Sequence, residues 1–107
     1  MEIPVRTREQ VEDAVCKGLV DYRVENFKNS TRITLNTLLG ELVSDSLEYT
    51  EACISIEERL GLERNFIDAL YNGDNTLNKI YLHREKFFVR DLAAFYYNGI
   101  EDLRLTN

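Results

Sequence analysis

The chain has little of what usually punctuates or cross-links a fold. Pro4 is its only proline, His83 its only histidine, and Cys16 and Cys53 its only cysteines. With no Pro-rich linker, repeat or low-complexity tract, the 107 residues read as one small domain, 1–107, with a modest core. The two cysteines fall at apolar helical positions and read as small reduced core residues. Cys16, Cys53 and His83 are far apart and lack zinc-type local spacing, so no metal site is expected. His83 lies in an apolar-rich segment and reads as a packed residue. No run of about 18 apolar residues exists, which excludes a membrane span. The first six residues, Met1-Glu2-Ile3-Pro4-Val5-Arg6, lack the apolar centre of a secretion signal, so a cytoplasmic protein is expected.

An excess of basic charge is also missing. The net charge is −6, and it is unevenly placed. Residues 41–68 hold eight acids and two bases; the rest of the chain holds eleven of each, so the whole net charge lies in that one segment. A field of this sign repels phosphate backbones and attracts basic protein surfaces. Nucleic acid is therefore not an expected partner.

What is present is mostly helical pattern. Thr7-Arg8-Glu9-Gln10 fits a capping box. Val11, Ala14, Val15, Gly18, Leu19 and Tyr22 follow at three-and-four spacing, predicting a helix that fades near Phe27. Residues 32–44 form a connection with apolar anchors at Ile33, Leu35, Leu38, Leu39 and Leu42, able to hold a short helical turn. A second helix is predicted from about Ser46 to Leu60, with Asp45 as N-cap, Glu48 closing a second capping box, and Gly61 as the stop. Phe66, Ile67, Leu70 and Tyr71 fit a short helix before the turn at Asn72-Gly73-Asp74-Asn75, although an Asn-Gly pair can also join two strands. Leu77, Ile80 and Tyr81 suggest another short helix. A last helix is predicted from about Val89 to Asn98, with Leu92, Ala93, Phe95 and Tyr96 inward and Gly99 ending it. The expected class is all-α: a small bundle of three main helices plus one or two short ones.

At about 100° per residue, the second helix separates into arcs. Tyr49, Ala52, Cys53, Ile56 and Leu60 share a core side. Glu48, Glu51, Ser55 and Glu58 form an acidic stripe. Leu47 and Ile54 lie beyond it, away from the core side. One reading has the helix packed on two neighbours with solvated acids. The other is a docking surface, in which carboxylates steer a basic partner and Leu47 and Ile54 supply apolar contact.

Ser46 opens this helix, where backbone N–H groups have no helical acceptor. It can act as a plain cap. It can be a nucleophile of its own, but the chain offers no Gly-x-Ser-x-Gly elbow or other triad cue beside the single His83. It can also carry a phosphate-linked group, which suits the positive end of a helix.

"SDSLEYTEACISIEERLGLE", residues 44–63, resembles the region of acyl carrier proteins around their prosthetic-group serine. The shared pattern is Asp45-Ser46-Leu47-Glu48, then Glu51, then Glu57-Glu58-Arg59-Leu60-Gly61. "FFVRDLAAFYY", residues 87–97, is similar to the final helix of that family, and the first helix with its long anchored loop is a weaker third match. The resemblance covers about two thirds of the chain in the right order. It departs from the family at Val43, where a glycine is usual, in lacking a proline soon after the second helix, and in an insertion expected at about 64–82. These departures suit a specialised member.

The resemblance implies an acyl-carrier-like bundle with no catalysis of its own, and a monomer. It implies 4′-phosphopantetheine attached to Ser46 from coenzyme A by a phosphopantetheinyl transferase, with Asp45 and Leu47 beside it. An acyl or aminoacyl group would ride on the arm as a thioester. Glu48, Glu51, Ile54 and Glu58 would be read by acyl-transferring or acyl-modifying enzymes with basic docking surfaces. The alternative is an acidic helical protein-interaction module in which Ser46 is only a helix-start residue.

Overall fold

The computed structural model describes residues 6–27, 32–62 and 75–106, with side chains through Asp102. Within them lie four α-helices and no strand: α1 (Arg8–Phe27), α2 (Ser46–Leu60), α3 (Thr76–Leu82) and α4 (Val89–Thr106), with a 3-10 turn at Leu39–Glu41 between α1 and α2. None of the described helices is long and apolar enough to cross a membrane.

The first helix starts where its capping box places it. Thr7 Oγ1 accepts from the Gln10 N–H at 3.1 Å, and Gln10 Oε1 accepts from the Thr7 N–H at 2.9 Å. The six positions read from the spacing, Val11, Ala14, Val15, Gly18, Leu19 and Tyr22, are its buried residues. Arg6 Nη2 reaches the Leu60 carbonyl at the end of α2, and Arg23 Nη1 reaches the Leu42 carbonyl shortly before its start. The two helices therefore run antiparallel. They cross at Gly18, where an added Cβ would stand 2.6 Å from the Ile56 Cα. Only a hydrogen fits between the backbones there. A bidentate contact from Arg59 to Asp21, 2.6 and 3.0 Å, ties the same pair on the surface.

The connection before α2 is held rather than free. Ile33, Leu39, Leu42 and Val43 are buried in the core. Its backbone pairs with the segment leading into α4: Leu39 N–H donates to Phe87 O, Gly40 N–H to Arg84 O, Val89 N–H to Thr37 O and Arg90 N–H to Leu35 O. Leu38 and Phe88 form an isolated antiparallel bridge. This pairing accounts for a long connection without a strand, because its polar groups are satisfied by a second loop.

The last helix corrects one expectation. It does not stop at Gly99 but runs to Thr106. Ile100 is buried, and it continues the inward face begun by Leu92, Ala93 and Tyr96. Glycine inside a helix costs about 1 kcal/mol relative to alanine. Burying an isoleucine side chain contributes roughly 1.5–3 kcal/mol, so packing outweighs propensity. Gly61 behaves differently: its φ of 68° is left-handed, and its N–H bonds back to Glu57 and Glu58 carbonyls. It is a true helix stop.

The short helix read from Leu77, Ile80 and Tyr81 is α3, with Ile80 buried. The helix expected through Phe66–Tyr71, and the alternative strand pair around Asn72-Gly73, lie outside the described residues. Of the insertion expected at about 64–82, the described part is the stretch from Asn75 onward, in which α3 forms.

Candidate functional site

The amino end of α2 is built from three elements. Asp45 has extended backbone, φ −137° and ψ 175°, and its Oδ1 accepts from the Glu48 N–H at 2.9 Å. Its carbonyl takes the first helical bond, from Tyr49 N–H at 3.0 Å. Glu48 Oε1 accepts from the Ser44 N–H at 2.7 Å, one residue upstream of where a strict capping box would bond. Arg84, just after α3, donates from Nη2 to the Ser44 carbonyl at 2.8 Å and from Nη1 to the Tyr81 carbonyl at 3.1 Å. Its guanidinium also stacks over the Tyr81 ring. The start of α2 is thus clamped by Arg23 at Leu42 and by Arg84 at Ser44. Neither arginine was singled out by sequence, because their partners are backbone carbonyls 19 and 40 residues away.

Ser46 is exposed at the first position of α2. The capping task falls to Asp45, not to Ser46. The N–H groups of Ser46 and Leu47 precede the first helical bond and point out of the helix end. Leu47 beside it is 66% exposed.

Farther along, the arcs separate as the angular reading expects. Tyr49, Ala52, Cys53, Ile56 and Leu60 are buried. Glu48, Glu51 and Ser55 are half-buried, Glu58 is exposed, and Ile54 is 49% exposed. Glu51, Ile54, Ser55 and Glu58 line a cleft of about 240 Å³ whose other wall is Glu25 and Asn26 of α1. Under this face lies Tyr22, whose hydroxyl is buried without a hydrogen-bond partner among the described residues. Burial, with Glu48 and Glu51 nearby, pushes its phenol up to about 12.

Behind the face sits a polar cluster inside the core. Glu57 is only 6% exposed, and the fully buried Tyr96 of α4 donates its hydroxyl to Glu57 Oε2 at 2.8 Å. Burial pushes the neighbouring Cys53 thiol up to about 12, which leaves it protonated and unreactive at neutral pH. Tyr49 donates to the Leu77 carbonyl at 2.9 Å and stacks on Tyr81, joining α2 to α3. Sequence reasoning did not assign Glu57 an inward role. Its position, four residues after Cys53 and three before Leu60, carried that signal.

Both cysteines are free, Cys53 buried and Cys16 half-buried. Among the described residues, no group of three or more histidine, cysteine or acidic side chains is placed to hold a metal. His83 corrects another expectation. It is exposed, at the carboxyl end of α3, where its apolar neighbour Leu82 is itself 57% exposed. Val43, at the position where the resembled family has glycine, is buried in the core.

The site and fold define an all-α bundle with a serine at an exposed helix start and an acidic, partly apolar helix face. No family model matches the chain, and neither a curated protein nor a solved structure matches it.

Proposed function

We propose that the chain is an acyl-carrier-like module, carrying acyl or aminoacyl groups on a 4′-phosphopantetheine arm at Ser46. The single observation that supports this most is the division of labour at the helix start. Asp45 makes the cap bond, and the adjacent Ser46 is left exposed. A phosphodiester fits there, because the first-turn N–H groups and the positive helix end favour negative charge.

Ser46 Oγ, deprotonated by a separate transferase, displaces adenosine 3′,5′-bisphosphate from coenzyme A and becomes the phosphodiester. When attached, the arm supplies a terminal thiol on which a cargo is held as a reactive thioester. The chain's own residues then position and present. Asp45 holds the helix start, Leu47 offers an apolar surface beside the attachment point, and Glu48, Glu51, Ile54 and Glu58 meet a basic docking surface. No catalytic residue is assigned to the chain, and partner enzymes perform the chemistry.

A second reading has its own observation. Leu47 and Ile54 are exposed beside carboxylates whether or not Ser46 is modified, as a protein-interaction module requires. Intact mass after incubation with coenzyme A and a promiscuous phosphopantetheinyl transferase separates the two. The carrier reading expects one added phosphopantetheine, lost in Ser46→Ala and retained in Ser44→Ala. A wild-type chain left unmodified, under conditions that load a control carrier, overturns it in favour of the interaction module.

A further inference from the structure

We infer that Arg84 is a positioning residue for the loading of Ser46, and that α3 governs the attachment site through it. The inference rests on the carrier reading for its reaction. It adds an element that the resemblance does not supply, since α3 lies in the expected insertion.

Both backbone polar groups of Ser44, two residues before Ser46, are taken. Its N–H donates to Glu48 Oε1 at 2.7 Å, and its carbonyl accepts from Arg84 Nη2 at 2.8 Å. Glu48 belongs to α2 itself, so Arg84 is the tie to the rest of the fold. The guanidinium is fixed before it meets Ser44. Its Nη1 donates to the Tyr81 carbonyl at 3.1 Å, and its Cζ lies 4.5 Å from the centroid of the Tyr81 ring. The Arg84 carbonyl accepts from the Gly40 N–H at 2.9 Å, which holds its backbone against the connection before α2. Asp45, Ser46 and Leu47, which follow Ser44, are all exposed.

The seven residues of α3 are too few to persist as an isolated helix. Its seat is made by Ile80 in the core, by the Tyr49 hydroxyl on the Leu77 carbonyl, and by the Tyr49–Tyr81 ring contact at 5.3 Å. A shift of α3 therefore carries the guanidinium, and with it the Ser44 carbonyl. With the clamp closed, Ser46 waits in one arrangement. With it open, the segment samples several, and a transferase meets the reactive one for only a fraction of the time. The apparent affinity falls by that fraction, whereas turnover at saturation does not.

The test measures loading of the full chain from coenzyme A by the promiscuous transferase at varied chain concentration, beside amide hydrogen exchange. Arg84→Gln is expected to raise KM for the chain roughly tenfold, with kcat changed by less than about twofold. Arg84→Lys keeps the charge but not the fork, and should recover only part of the loss. The Glu48 and Tyr49 N–H groups, which bond to Asp45, should lose protection severalfold in Arg84→Gln, while the Leu19 and Tyr22 amides of α1 keep theirs. Leu82→Ala, at an exposed position of the same helix, is the control and should match wild type. Wild-type KM in Arg84→Gln, full recovery in Arg84→Lys, or protection lost equally in α1 and α2 each overturns the inference. A wild-type chain that takes no phosphopantetheine overturns the carrier reading instead, and hydrogen exchange still decides whether Arg84 orders the start of α2.

Discussion

Tyr96 and Glu57 form one residue pair that joins α4 to α2 inside the core. A carboxylate is rarely buried unless hydrogen-bonded, and here the Tyr96 hydroxyl meets it from α4. Removing that donor leaves the acceptor short of one bond in the interior. Hydrogen bonds to charged groups contribute about 1.5–3 kcal/mol. Tyr96→Phe is therefore expected to lower unfolding free energy by about that amount in urea titrations, while leaving the exposed Ser46 end open to modification. A variant as stable as the wild type would mean that the pair is replaceable. Cys53, adjacent to the same pair, is expected to resist thiol reagents in the folded protein, since burial holds it protonated.

Among the elements, the closest contact is the crossing of α1 over α2. Gly18→Ala gains up to about 1 kcal/mol of helix propensity. Against this, the new methyl would sit 2.6 Å from a backbone carbon, which cannot rotate aside. Overpacking of this kind costs roughly 1–3 kcal/mol, so the variant is expected to melt lower, and calorimetry checks the sign. The surface tie between these helices has a pH dependence. The Arg59 guanidinium, chiefly through its hydrogen bonds, holds the Asp21 carboxyl below its ordinary value. A depressed carboxyl contributes stability that is present above the unfolded carboxylate range and is lost as pH falls through the folded value. Asp21→Asn should therefore unfold slightly more easily than wild type at neutral pH, with the gap closing in acid. The effect is small, because both partners are substantially exposed to screening solvent.

Over the whole molecule, charge and shape are arranged differently. The chain folds to a radius of gyration of 13.1 Å around one core, yet its entire net charge arises from residues 41–68. Within that segment, Glu48, Glu51 and Glu58 stand at the surface of α2. Steering by such a field acts over about 10 Å at moderate salt and weakens as salt rises. Glu48→Lys or Glu51→Lys is expected to slow loading of Ser46 severalfold at low salt, in proportion to the charge removed. The difference from wild type should shrink at high salt, with thermal stability nearly unchanged in Glu51→Lys and lowered in Glu48→Lys, which loses the bond to the Ser44 N–H. Loading rates insensitive to both reversal and salt would remove α2 as the recognition face.

Much of this was legible in the sequence because it is local. A capping box, a three-and-four apolar repeat, an N-cap aspartate and a left-handed glycine each act over a few residues, so the bounds of α1 and α2 and the buried side of α2 could be read directly. The same angular arithmetic put Leu47 and Ile54 away from the core side but left open whether a second neighbour covers them; in the folded chain both are exposed. Where the expected bound failed, at Gly99, a distant contact decided: burial of Ile100 against the bundle outweighed a local stop signal. His83 lies outside the core although its segment is apolar, because an apolar neighbour in sequence, Leu82, itself faces solvent. The clamps by Arg23 and Arg84, the Glu57–Tyr96 bond and the α1 wall of the acidic cleft were set only by the tertiary structure. Each joins residues far apart in the chain, and such pairings exist only once the helices have packed.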